Sequence, residues 1–246
     1  MSSPSLLTRL LYAARDFRSR ALFAALREHC AGEVLDVGGG RFFETARAQG
    51  AHFTGWTTLE VSARDLPPRA PGQALVVGDG CKLPFQSGRF DTVLSIQVLE
   101  HVFEPIRMVE ELARALKPGG KALLLIPQTS TTHLAPHYHG NFSRYWIAAA
   151  LERAGLELVR HEPLGGVWSS MASHALYFFL QAARVKGMSD PAIRRGALFY
   201  CLLPLQVVWA CVTLPVCLFL SLGDLAEEPN NHLVVARRRA APPQRA

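Results

Sequence analysis

Four side chains and one run of glycines sit where this chain could grip a nucleotide-like ligand. They are Asp36 just before Gly38-Gly39-Gly40, then Glu60, Asp79 inside Gly78-Asp79-Gly80, and Gln97. Glycines let a ligand approach a turn with no Cβ in the way. Glu60, 24 residues after Asp36, can accept hydrogen bonds from both ribose hydroxyls, and Asp79 with the N–H groups of Gly80 and Cys81 can read an adenine edge. Taken singly, a glycine turn is common and a strand-end acid is often a cap or a solvated charge. A second set is His101, His133, His137 and His139, whose unperturbed pKa near 6.5 suits proton removal at neutral pH. His137 is expected to act ahead of His101, with Tyr145 facing the acceptor if the loop around it folds over the cleft. A loop histidine bonded to backbone is the ordinary alternative for each.

Those residues need a scaffold that brings them together, and the chain alternates in the way such a scaffold requires. Glu33–Val37 is a short buried strand entering the glycine turn, and Phe43–Gln49 is helical. Strands follow near Phe53–Glu60, Ala74–Val77 and Phe90–Gln97. A helix over 104–116 is expected to stop at Lys117-Pro118-Gly119-Gly120, before strand Lys121–Pro127. Helix 144–154, strand 156–161 and a last strand His232–Ala236 complete the pattern. Strands separated by single helices imply a parallel sheet covered on both faces. In such sheets ligands bind at the carboxyl ends of the strands, and Asp36, Glu60, Asp79 and Gln97 fall at four successive ends.

At this point the motifs resemble a known family. Val34-Leu-Asp-Val-Gly-Gly-Gly40, Gly78-Asp-Gly80, Leu83-Pro-Phe85, Phe90-Asp-Thr-Val-Leu94, Gln97-Val-Leu-Glu-His101 and Leu116-Lys-Pro-Gly-Gly120 resemble those of class I S-adenosylmethionine-dependent methyltransferases. The resemblance covers roughly residues 30–165. It implies a Rossmann-like, doubly wound seven-stranded sheet, mostly parallel, with the last strand antiparallel. It also implies S-adenosylmethionine as cofactor, with Asp36, Gly38 and Gly40 at its methionine part, Glu60 at the ribose, Asp79 and Gly80 at the adenine, and Gln97 near the sulfonium. One departure is Phe42, where the family often has a further glycine. The segment Pro127–Tyr145 resembles a bacterial branch associated with surface-glycan or lipid pathways, which implies a small-molecule, glycan or lipid-linked acceptor.

Two rival readings compete with this one. An NAD(P)-dependent oxidoreductase would want a third glycine at position 43, which is Phe43, and leaves Asp36 and Gly78-Asp79-Gly80 without a role. A non-catalytic cofactor-binding scaffold of the same fold stays open, because methyl transfer asks little covalent chemistry of the protein.

Composition narrows the rest. The chain has 246 residues, 49% hydrophobic, with a formal net charge of +6. Its basic residues are spread along the sequence apart from Arg237-Arg238-Arg239, so nucleic acid is not expected as a partner. The five cysteines, Cys30, Cys81, Cys201, Cys211 and Cys217, include no Cys-x-x-Cys pair. No disulfide framework or metal site is expected, and a reducing, cytoplasmic setting fits. Residues 1–29 read as a helical cap, 30–163 with 230–238 as the cofactor-binding domain, and 164–229 as an apolar helical insertion. Ala197–Leu222 carries no charge over 26 positions, although Pro204 and Pro215 interrupt it. A single crossing would strand the last strand across the membrane. The link 184–196 carries Arg184, Lys186, Arg194 and Arg195 against Asp190, which disfavours a two-span hairpin with a cytoplasmic domain. Helices lying in the cytoplasmic leaflet are therefore expected, with a buried pair or a homo-oligomer contact as the alternative.

Overall fold

Alternation of apolar side chains along the central strands decides the architecture. In the computed structural model, which describes residues 19–182 and 195–239, strand β1 (Glu33–Val37) is buried from Val34 onward. Val34 points to one face of the sheet with Trp56, Leu94, Leu123 and Val235, while Leu35 and Val37 point to the other with Val93, Leu124 and Val234. Both faces must then be covered, and they are. Helix α1, residues 19–29, and α2 (Phe42–Ala48) cover the first through Leu22, Leu26, Phe43 and Ala46. Helix α3 (Pro105–Ala115) and α4 (Arg144–Arg153) cover the second through Met108, Leu112, Ile147 and Leu151.

The remaining strands are β2 (Gly55–Glu60), β3 (Gln73–Val77), β4 (Phe90–Ile96), β5 (Leu116–Pro127), β6 (Leu156–Leu164) and β7 (Asn231–Arg238). They form one seven-stranded sheet in the order β3-β2-β1-β4-β5-β7-β6. Strands β1 to β5 pair in parallel, and β7 lies antiparallel between β5 and β6. This is the sheet expected from the sequence. The boundary that differs most is at Lys117–Gly120, which does not separate helix from strand, because Leu116 already pairs with Phe90 and the register shifts before Thr92 meets Lys121.

Beyond β6 the chain leaves the sheet as two helices, α5 (Val167–Ala182) and α6 (Ala197–Leu220), which pack on each other. The prolines expected to interrupt the second do not: α6 runs through Pro204 and Pro215 without a break. Each ring removes one backbone donor but is exposed. With its terminal 3-10 turn, α6 is long and apolar enough by length and composition to cross a membrane. Only Ala210 and Cys217 of it are buried, so a helix pair that hides its apolar face within one chain is not what forms. Residues 1–18 of the expected helical cap, most of the basic link and the terminal Pro242-Pro243 lie outside the described residues.

Candidate active site

Parallel strands end together, and the sequence-predicted residues collect along that edge. Asp36 is fully buried, and neither of its carboxylate oxygens has a hydrogen-bond partner. Burial first, and the nearby charge of Glu60 second, push its carboxyl up to about 8. The Trp56 indole offsets this slightly, although its N–H donates to Thr58 Oγ1 at 3.2 Å. The side chain lies directly beneath the turn, for a Cβ at Gly39 would meet Asp36 Oδ2 at 1.9 Å. Gly38 and Gly40 have φ of +68° and +49°, the left-handed region, and the space above Gly40 is open. Phe42, at the departure from the family pattern, begins α2 and is half-buried against the core.

Glu60 ends β2, almost wholly buried, with Oε1 accepting from the Gly40 N–H at 2.6 Å. Burial raises its carboxyl, partly countered by that hydrogen bond. Asp79 is exposed past the end of β3, and its Oδ1 accepts from Cys81 N–H at 2.8 Å. One of the two donors expected to read an adenine edge is thus spent inside the turn. Gly80 is closely approached, since a Cβ there would sit 3.3 Å from Met108 Sδ and from Val37 Cγ1.

Gln97 follows β4 with φ of +58°, an uncommon conformation for a residue with a side chain. Two bonds hold it: its N–H donates to Leu125 O at 2.9 Å, and its Nε2 donates to Asn231 Oδ1 at 2.5 Å. His101 lies just beyond, half-buried, its Nδ1 2.6 Å from His137 O. Burial lowers its pKa. The loop 128–143 brings His133 and Tyr138 against it, ring centroids 4.7 and 5.9 Å away. His137 contributes its carbonyl to this cluster while its side chain is exposed, and His139 stacks on Phe103 at 5.5 Å. Tyr145 is 73% exposed on α4 beside Arg144, outside the cluster.

Three residues here were not singled out from sequence in these roles. Asn231 braces Gln97 across 134 positions, which no local pattern signals. Glu100 is fully buried with both oxygens unpartnered, and burial pushes its carboxyl up to about 7. Asp224 caps α5 from the far end of α6, accepting from Trp168 N–H at 2.8 Å and Ser169 N–H at 3.0 Å.

A cavity of about 990 Å3 adjoins this edge between α5 and α6. Thr129, Ser170 and Glu228 mark its polar end; Met171, Phe178 and Trp209 are among its apolar walls. Thr129 Oγ1 and Ser170 Oγ are 2.8 Å apart, tying the loop after β5 to the first turn of α5. The glycine turn does not line it.

A doubly wound sheet with an antiparallel β7 and acidic residues at the ends of its first strands defines the class I methyltransferase architecture that the motifs implied. The comparisons agree. Residues 35–124 match the family described as "Methyltransferase domain". An uncharacterized methyltransferase of Mycobacterium sp. (strain JLS) is 41% identical over 96 residues, and the match covers 37% of each chain. One of Mycobacteroides abscessus is 30% identical over 174 residues, covering 66% of this chain and 64% of that one. The chain therefore spans well under half the length of the first of these relatives. The solved structure of the [4+2]-cyclase SpnF is similar in fold, with a TM-score of 0.59 at 18% identity, covering 91% of this chain and 82% of that one. Residues 35–124 thus carry a methyltransferase domain, and the sheet they belong to has the fold of the class I S-adenosylmethionine-dependent methyltransferases.

The residues present fit that cofactor. An orphaned buried carboxylate lies under a turn that only glycine permits, and a second carboxylate ends the next strand.

Proposed function

We propose that this protein transfers a methyl group from S-adenosylmethionine to an amphipathic acceptor, a lipid-linked or similar small molecule, at the cytoplasmic face of a membrane. The observation that carries the acceptor class is the cavity between α5 and α6, polar at the end tied to β5 and mainly apolar along the helices, where His174, Gln206 and Thr213 also reach it. Its apolar length suits a hydrocarbon tail, and its polar end suits a hydroxylated or charged head.

When bound, S-adenosylmethionine supplies a methyl group on a positively charged sulfonium. The chain's own work is then to hold, align and keep water out, since transfer needs reacting atoms about 3–3.5 Å apart. We assign Asp36, Gly38 and Gly40 to the methionine part and Glu60 to the ribose through Oε2, its other oxygen being held by Gly40. Asp79 and Gly80 take the adenine. Gln97, fixed by Leu125 and Asn231, takes the sulfonium end. His101 is assigned to the acceptor. Its Nδ1 faces a carbonyl and must carry the ring's proton, so Nε2 is the nitrogen offered to a ligand. His137 positions His101 through that carbonyl, and Tyr145 stands at the outer rim.

Two measurements test this reading. Isothermal titration with S-adenosylhomocysteine and with NADH should give saturable heat from the first and none from the second; heat from NADH alone would sink the cofactor assignment. Incubation of the protein with labelled methyl donor and a membrane extract should place the label in the organic phase. Label confined to water-soluble products would overturn the amphipathic acceptor.

A further inference from the structure

Glu100 has no part in the assignments above, yet it is the most anomalous side chain on the site's edge. Its carboxylate is fully buried and neither oxygen meets a hydrogen-bond donor. Buried carboxylates without partners are costly and therefore rare. Two imidazoles stand beside it. His101 Nε2 is 3.8 Å from Glu100 Oε1, and the His133 ring packs edge-on against His101. One nitrogen or oxygen from each of the three residues lies within 4.8 Å of the others.

The hydrogen bonds around the two rings decide what these atoms offer. His101 Nδ1 is 2.6 Å from His137 O, and His133 Nδ1 is 2.8 Å from Thr131 O. A carbonyl oxygen only accepts, so both Nδ1 atoms carry protons, and in the neutral rings both Nε2 atoms are bare lone pairs. With Glu100 ionised, the carboxylate and the two imidazoles can then offer three lone pairs to one cation. A ring nitrogen pinned by its N–H to a backbone carbonyl is the outer arrangement that orients metal-binding histidines.

We propose that Glu100, His101 and His133 bind a divalent transition-metal cation of the zinc or manganese kind at the mouth of the active site. Two imidazoles with one carboxylate favour such ions over magnesium or calcium. Bond lengths of about 2.0–2.2 Å place tetrahedral ligands roughly 3.3 Å apart. The His101–Glu100 pair at 3.8 Å is within about half an ångström of that, and no pair of the three exceeds 4.8 Å. His101 is still 19% exposed, so the open side of the cation faces the cleft. There it would acidify an acceptor hydroxyl, whose proton passes to bulk water. That last role rests on the proposed methyl transfer, whereas cation binding itself does not. Sequence alone pointed to no metal, because ligands at 100, 101 and 133 match no compact spacing.

The test uses the full chain, stripped with chelator and titrated with Zn2+, Mn2+ and Mg2+ by calorimetry. Cobalt substitution reports the ligand atoms. Saturable binding of Zn2+ or Mn2+, tighter than Mg2+, is expected, with cobalt spectra lacking a thiolate charge-transfer band. His133→Ala and Glu100→Gln should each weaken binding about a hundredfold, and His139→Ala should not. Because Glu100→Gln alters a buried position, circular dichroism accompanies it, and the half-buried His133 carries the test if that variant fails to fold. No binding by folded wild-type protein, equal binding by the His133 variant, or a thiolate band pointing to Cys81 would each overturn the proposal. S-adenosylhomocysteine binding measured in the same metal-free samples separates the two readings: it persists if only the cation site is wrong.

Discussion

At the scale of single residues, the acidic side chains beneath the glycine turn set the site's electrostatics. Asp36 in an unfolded chain would ionise near 3.9, whereas in the folded protein burial and then Glu60 raise it to about 8. Between those values the native state holds a proton that the unfolded chain has released. Stability from this group is therefore fully present below about pH 4, falls as pH rises, and levels off above about pH 8. The slope is at most about 1.4 kcal/mol per pH unit. Asp36→Asn should flatten the urea-denaturation stability profile between pH 5 and 8 while leaving the acid end unchanged. Equal slopes in the two proteins would mean that Asp36 is not protonated in the native state. The same variant should bind S-adenosylhomocysteine about ten- to a hundredfold more weakly, because the cationic amine of the ligand would favour the ionised carboxylate that Asn cannot supply. Asp36, Glu60 and the glycines were legible in the sequence because each belongs to one strand and the turn it enters. Glu100 was not, since its anomaly is the lack of a partner, and partners come from loops far along the chain. Nor was the bond between Gln97 and Asn231, which exists only because β7 inserts beside β5.

At the scale of elements, one carboxylate ties the first turn of α5 to the chain that leaves α6. Asp224 follows α6 and accepts from Trp168 N–H, Ser169 N–H, Ser169 Oγ and Leu225 N–H. Burial alone would raise its carboxyl, but the hydrogen bonds from Ser169, Trp168 and Leu225 outweigh it and hold the pKa below the ordinary value. The charge also sits at the positive end of α5. Close by, Val167 N–H donates to Leu225 O at 3.0 Å, so the start of one helix and the exit from the other are held together. Asp224→Ala removes the cap and should cost about 1–2 kcal/mol. Hydrogen exchange should locate the loss in the first turn of α5, with the sheet amides unaffected. Uniformly faster exchange through β5 and β7 would show that Asp224 supports the whole fold rather than this helix end. The helices themselves were legible from their uncharged runs. Their continuity was not, because Pro204 and Pro215 break a helix by local rules, whereas here both are exposed and the helix runs through them.

At the scale of the whole molecule, sheet topology limits what the apolar helices can do in a membrane. Strand β6 feeds directly into α5, and α6 returns the chain to β7, which pairs with β6 and β5. Both ends of the helical excursion are therefore on the same side of any bilayer, and α6 cannot cross alone. A paired crossing with α5 would put Arg184, Lys186, Arg194 and Arg195 on the side away from the sheet, against the positive-inside tendency. What remains exposed includes a row on α6: Leu198, Leu205, Val212, Val216 and Phe219, each at least half accessible. These recur at three-, four- and seven-residue spacings and form one continuous apolar stripe, which is costly to leave in water. A helix lying flat in one leaflet buries that stripe and opens the cavity toward lipid, in keeping with the acceptor proposed above. Wild-type protein should then sediment with membranes through a high-salt wash and be released by detergent. Val212→Glu with Phe219→Glu, neither of which lines the cavity, should move it to the soluble fraction with S-adenosylhomocysteine binding intact. If wild-type protein is instead soluble and a dimer in sedimentation equilibrium, and the double variant is a monomer, the stripe is a subunit interface and the membrane assignment fails.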